Sequence, residues 1–196
     1  MTFTFLPLTV ATWNDFAELF GNKGACGGCW CMYWRLKASD YNKEKGEGNK
    51  KSMNKLLRKS SPGIIAYVKD KAVGWCAVAP RDEYIRLETS RVFKPVDDKK
   101  VWSVSCFFIT KEFRGKGLSV PLLKAAVDFA ILKGATIVEG YPTESTTGRM
   151  VDAFVWTGIA STFQRAGFKE VERRSDTRPI MRYYKTQNFH YANNPL

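Results

Sequence analysis

The chain has 196 residues, 44% of them hydrophobic and 14% aromatic, with 31 Lys and Arg against 19 Asp and Glu for a net charge of +12. That length suits one compact domain with a buried core, and the composition excludes a disordered chain. No apolar run reaches the length of a membrane helix, and five cysteines, three of them within residues 26–31, do not resemble a secreted disulfide framework.

The opening MTFTFLPLTVATWNDF has no basic n-region and no small-residue cleavage site, so no secretory signal is expected and the protein is expected in the cytoplasm. Thr2–Leu6 reads as a strand and Val10–Phe20 as a helix. A Cys/Gly loop, residues 21–36, comes next and contains ACGGCWCMYWR. If it is extended, Trp30, Met32 and Trp34 share one face and Cys31, Tyr33 and Arg35 the other. An aromatic wall with one Arg suits a flat or apolar acceptor that can carry a carboxylate, which makes Trp30, Met32, Trp34 and Arg35 candidate substrate contacts. The alternative is aromatic core packing around reduced, buried thiols. Cys26, Cys29 and Cys31 lack paired CxxC knuckles and a nearby fourth ligand, so no metal is expected.

The basic segment 43–59 leads from a loop into a helix near Lys50–Lys59, with Met53, Leu56 and Leu57 on its apolar side. It has no interleaved aromatics for stacking bases, so a solvated face is the better reading and nucleic acid the weaker one. GIIAYVKDKAVGWCAVAP gives two strands around the turn Lys69–Ala72. The run Val101–Ile109 is β-branched and aromatic, a strand buried on both faces. From Leu122 the apolar positions 122, 123, 126, 127, 130 and 131 mark a helix, with Gly134 as its left-handed C′ residue. Residues 135–141 form a short buried strand. After the polar stretch PTESTTGRM, a helix is expected from about Thr157 to Ala166. KEVERRSDTRPIMRYYK closes with two strands that turn near Asp176 and Thr177. No repeat or linker divides residues 1–196, and no interface signature decides between monomer and homodimer.

Between the buried strand and its helix lie Arg114, Gly115, Lys116, Gly117, Leu118 and Ser119. The first turn of a helix has N–H groups without helical partners at the positive end of its macrodipole. Pro121 fits there because early positions need no donor. Two glycines admit an anion close to the backbone, and Arg114 and Lys116 add charge. The alternative is a tight turn whose glycines serve geometry alone. No Gly-Lys-Ser/Thr follows as in a P-loop, and Val120 stands where a dinucleotide fingerprint needs its third glycine.

The pattern that comes nearest is Arg/Gln-x-x-Gly-x-Gly/Ala, with Arg114 and Gly117 in its defining places and Ser119, still small, where the last position has Gly or Ala. It resembles the coenzyme A pyrophosphate loop of the GCN5-related N-acetyltransferase (GNAT) superfamily. FQRAGF, Phe163–Phe168, is similar to the end of that family's last helix, and the order β-α-α-β-β-β-α-β-α-β-β resembles its topology. The resemblance implies an α/β (α+β) fold, a mixed and mostly antiparallel central sheet flanked by helices, with splayed fourth and fifth strands. It further implies that acetyl-CoA is the co-substrate and a primary amine the acceptor. The main chain of Phe107, Phe108 and Ile109 would hold the pantetheine, and that of Arg114–Ser119, including Gly115, Lys116 and Leu118, the pyrophosphate.

The catalytic side chains are less defined. Glu139, a carboxylate in an apolar strand beside the expected splay, is the first candidate for proton acceptor, with a salt bridge as the alternative. Glu144, Glu88 and Asp152 are weaker candidates. Many family members protonate the departing thiolate with a Tyr, but Phe163 stands at that position, and Trp156 replaces a common Asn. Tyr141, Ser161 or Thr162 could substitute, and Tyr141 is the first choice. His190 reads as a surface residue. Two other functions stay open: a coenzyme A-binding module without turnover, and a basic nucleic-acid-binding protein.

Overall fold

The computed structural model describes residues 2–144 and 156–185, so Asp152 and His190 lie outside the described residues. Seven strands form one sheet: β1 (Thr4–Pro7), β2 (Gly63–Val68), β3 (Lys71–Pro80), β4 (Trp102–Ile109), β5 (Ile137–Gly140), β6 (Lys169–Arg173) and β7 (Pro179–Tyr184), in the spatial order β1-β2-β3-β4-β5-β7-β6. All neighbours are antiparallel except β4 and β5, which run parallel. This is the expected mixed, mostly antiparallel sheet.

The helices are α1 (Trp13–Phe20), α2 (Ala38–Lys43), α3 (Glu47–Leu56), α4 (Ile85–Glu88), α5 (Ser119–Leu132) and α6 (Ala160–Arg165). The first begins later than its apolar pattern suggests. The Thr12 hydroxyl accepts from the Thr9 N–H at 2.9 Å and donates to the Pro7 carbonyl at 3.0 Å, which ties residues 7–12 into a turn before the helix. The short helices α2 and α4, six and four residues, lack a periodic pattern long enough to read. The helix expected near Lys50–Lys59 sits earlier, at α3.

α5 ends as its sequence suggests. Gly134 has φ 96°, its N–H donates to Ile131 O, and the Ala135 N–H donates to Ala130 O, the paired bonds of a Schellman cap. Leu122, Leu123, Ala126, Val127 and Ala130 are its buried stripe, packed with Val104 and Phe163 on one sheet face. On the other face Phe16, Phe20, Trp30, Met53 and Trp75 form a second core. A third, around Tyr84, Phe93, Tyr141 and Ile180, joins β5 and β7 to the segment before β4.

One irregularity positions the site. In β4, Cys106 pairs with Ala77 and Val104 with Val78, so Ser105 is an extra, bulged residue. The bulge lets Val104 and Phe107 both face the α5 core while Cys106 and Phe108 face the α1 core. It also re-aims the strand just past the last residue that pairs with β5.

Candidate functional site

β4 and β5 are joined only at Trp102↔Val138, Ser103↔Glu139 and Val104↔Gly140. Beyond these pairs the strands part, which leaves the outer half of β4 without a strand neighbour on that side. Part of the gap is lined by the chain's own return segment. Thr143 forms a parallel bridge with Ile159, Thr143 N–H donates to Gly158 O at 2.8 Å, and Phe107 N–H donates to Trp156 O at 2.6 Å.

The glycine-rich loop stands at the α5 end of this gap. Gly115 (φ 71°) and Gly117 (φ 78°) are both left-handed, and no atom lies within 4 Å of where a Cβ on either would project. Only glycine adopts that backbone without strain, and the space outside it is open to a ligand. Leu118 is fully buried against the α5 core and anchors the loop. Arg114 Nε donates to Ile109 O at 3.0 Å, Lys116 Nζ lies 5.3 Å from the Phe113 ring centre, and Ser119 Oγ is 3.3 Å from Thr162 Oγ1 on α6. These residues form an open, positively charged cradle of main-chain N–H groups at a helix N-terminus, a geometry suited to a pyrophosphate.

Glu139 and Tyr141 lie beside the splay, but inside a buried network. Arg81 Nη1 reaches Glu139 Oε1 at 3.2 Å, Arg182 Nε donates to Oε2 at 2.7 Å, and the Tyr141 hydroxyl donates to Oε1 at 2.7 Å. That hydroxyl also meets Arg81 Nη1 at 2.5 Å and Ser103 Oγ at 2.8 Å. Arg182 is further clamped to Asp97, at 2.7 and 3.0 Å. Both oxygens of the carboxylate therefore already accept from cationic donors, as in the salt-bridge alternative. Burial, and secondarily the Glu139 charge, push the Tyr141 phenol well above its ordinary range, which makes it a weak acid.

The Cys/Gly loop is not extended, because Ala25, Trp30 and Cys31 all have positive φ (66°, 43° and 59°) and break the alternation. Trp30 and Met32 are core residues, and Trp30 is stacked against Phe20 and Trp13. Arg35 is buried in an ion pair with Glu83 and lies 4.5 Å from the Tyr84 ring centre. These three residues thus stand inside the protein rather than on a shared outer wall. Trp34 does reach the splay: its ring stacks on Trp156 at 5.7 Å, and Tyr33 meets Trp156 edge-on at 5.3 Å. Arg86 lies 3.8 Å from the Tyr33 ring centre. Tyr33, Trp156 and Arg86 were not among the residues singled out as acceptor contacts, and only the tertiary fold gathers them.

Phe163 is fully buried, 5.9 Å from Phe107 and 5.0 Å from Phe168. A Cβ on Gly140 would come within 2.1 Å of its ring, so the glycine makes room for an apolar plug behind the splay. The cysteines are free thiols. Cys31 Sγ accepts the indole N–H of Trp75 at 3.3 Å, and hydrogen bonding with Cys106 holds its thiol below the ordinary range, while the same contact and burial push Cys106 up. Among the described residues no group of three or more His, Cys, Asp or Glu side chains could hold a metal ion, and no helix is long and apolar enough to cross a membrane.

Comparison with known proteins accords with this geometry. No curated protein sequence matches the chain. Among solved structures, a GNAT-family acetyltransferase from Listeria monocytogenes aligns with a TM-score of 0.57 at 10% identity, covering 93% of this chain and 95% of its own. An agmatine N-acetyltransferase gives 0.56 at 11%, covering 93% and 99%. The PaiA N-acetyltransferase of Thermoplasma acidophilum, solved with coenzyme A, gives 0.53 at 13%, covering 94% and 100%. At such identities the likeness is one of fold. The sequence itself adds the family, since residues 30–146 match the acetyltransferase (GNAT) family model. Splayed strands, glycine cradle and sequence match agree, and the chain belongs to the GNAT acetyltransferase family.

Proposed function

We propose that the protein transfers the acetyl group of acetyl-CoA to a primary amine. The observation that carries this reading is the open cradle at Gly115 and Gly117, set at the N-terminus of α5 beside the parted ends of β4 and β5. The N–H groups of residues 114–119 hold the pyrophosphate, and the main chain of Phe107, Phe108 and Ile109 holds the pantetheine. Acyl transfer would form the C–N bond as the C–S bond breaks, the proton shed by the nitrogen ending on the released thiol, and a main-chain N–H of β4 at the splay would favour the charge that develops on the thioester oxygen. The neutral amine approaches along Tyr33, Trp34 and Trp156, which present ring faces and edges rather than carboxylates.

Glu139 and Tyr141 act in this reading as positioning residues. Through Ser103 they pin the Ser103↔Glu139 rung, one pair before Val104↔Gly140 where the strands part. The departing thiolate needs little help, since thiols are far more acidic than alcohols. The test is release of free coenzyme A from acetyl-CoA, followed with a thiol reagent, across a panel of arylalkyl, aliphatic and amino-acid amines. Amine-dependent release, abolished in Gly117→Glu, is the expected result. Binding of coenzyme A with no amine-dependent release would instead favour a binding module, a reading suggested by Phe163 at the usual proton donor's place.

A further inference from the structure

The return segment Trp156–Ile159 fills a place that the cofactor needs. Where β4 leaves β5, the Phe107 N–H would be a sheet-edge donor, and an orphaned backbone donor is unfavourable. The chain meets this with its own carbonyl, Trp156 O, at 2.6 Å. Three further contacts seat that carbonyl. The Trp156 indole stacks on Trp34, Gly158 adopts φ 86° so that the chain can pass against the Phe107 and Phe163 rings, and Thr157 Oγ1 and Thr143 Oγ1 both accept from Arg178 Nη1, at 3.2 and 2.6 Å. A Cβ on Gly158 would come within 2.7 Å of the Phe163 ring and 3.1 Å of the Phe107 ring.

We propose that Trp156–Gly158 is a self-occupying strap, a mimic of the pantetheine amide that the cofactor must displace from Phe107. This inference rests on the acetyl-CoA reading above. A single N–H directed at one acceptor position cannot serve the Trp156 carbonyl and a pantetheine carbonyl together with good geometry. The free protein is therefore divided between a strapped, closed state and an open state, and the cofactor's apparent affinity is its intrinsic affinity reduced by the open fraction. The same indole packs on Trp34 and Tyr33, so displacement of the carbonyl also shifts a ring of the acceptor-side wall. Cofactor entry and rearrangement of the acceptor side become one event.

The experiment is calorimetric titration of coenzyme A into the wild type, Gly158→Ala and Trp156→Phe. Alanine at residue 158 meets both a left-handed backbone and two rings, and phenylalanine at 156 reduces the stacking surface on Trp34. Each variant weakens the strap without touching the glycine cradle. Both are expected to bind coenzyme A more tightly, by about three- to tenfold if the closed state dominates. In wild type labelled with 5-fluorotryptophan, the Trp34 and Trp156 fluorine resonances are expected to move on saturation. A wild type that binds coenzyme A while both variants bind it equally or more weakly overturns the strap and leaves the acetyl-CoA reading standing. A folded wild type that binds no coenzyme A overturns the reading and the strap with it.

Discussion

Glu139 shows how a single residue changes meaning once its partners are known. In the sequence it is a carboxylate inside an apolar strand. In the structure it is the centre of a buried cluster with Arg81, Arg182, Tyr141 and Ser103, and its arginine partners stand 58 and 43 residues away. Removing one member of such a cluster leaves buried charge uncompensated. Glu139→Gln is expected to destabilise the fold by about 3 kcal/mol, read by chemical denaturation. A positioning role further implies that the surviving fraction keeps the wild-type pH profile of kcat; a lost basic or acidic limb would restore Glu139 as the proton acceptor. Asp97, at the outer end of the same cluster, gives a pH signature. Hydrogen bonds from Arg182 hold its carboxyl down at about 2, below the ordinary 3.8. A carboxylate depressed in the folded state adds stability above its unfolded pKa and loses that stability as the pH falls through the folded value. The wild type is therefore expected to lose melting temperature between pH 4 and pH 2 more steeply than Asp97→Asn, and identical acid limbs would contradict the pairing.

At the scale of elements, two glycines separate conformational from steric causes. Gly134 caps α5 at φ 96° with nothing within 4 Å of a Cβ, so Gly134→Ala strains the backbone alone. It is expected to cost roughly 1–2 kcal/mol in denaturant unfolding. Gly140 has no positive φ, but a Cβ there meets Phe163 at 2.1 Å, so Gly140→Ala must move a buried ring. That overpacking is expected to cost about 1–3 kcal/mol, and Phe163→Leu in the same chain should relieve it. The first effect was legible in the sequence and the second was not. A glycine after a periodic apolar stripe announces a helix end, and the Schellman bonds at Gly134 and Ala135 follow. Nothing in the sequence announces that Phe163 presses on Gly140, because the contact joins a strand to a later helix. The Cys/Gly loop failed for a related reason. Strand alternation assumes extended residues, and three non-glycine residues with positive φ, held by surrounding packing, undo it. The order of elements along the chain, the helix after Leu118 and the turn at Gly115 and Gly117 were legible because each is a local pattern. The aromatic cluster beside the splay was not, because Tyr33, Trp34, Trp156 and Arg86 come from three separate segments.

The molecule as a whole carries +12, and acetyl-CoA is a polyanion. Part of that charge sits at the cradle, on Arg114 and Lys116, and part along α3 and just past its end, where Lys50, Lys51, Lys55 and Arg58 gather near Trp13. Only the first group adjoins the splay. Cofactor affinity is therefore expected to fall with ionic strength in a way set by the cradle charges, whereas neutralising Lys51 and Lys55 should leave it within about twofold, given a screening length of about 8 Å at physiological salt. The central claim, that the Arg114–Ser119 loop holds acetyl-CoA, is tested most directly by thermal unfolding with saturating acetyl-CoA in the wild type and in Gly117→Glu. A ligand at a hundred times its dissociation constant stabilises by about 2.7 kcal/mol, which for a chain of this size raises the melting temperature by roughly 5–10 °C. A rise in the wild type that Gly117→Glu loses is the result expected. No rise in a well-folded wild type, or an equal rise in both proteins, would contradict the account.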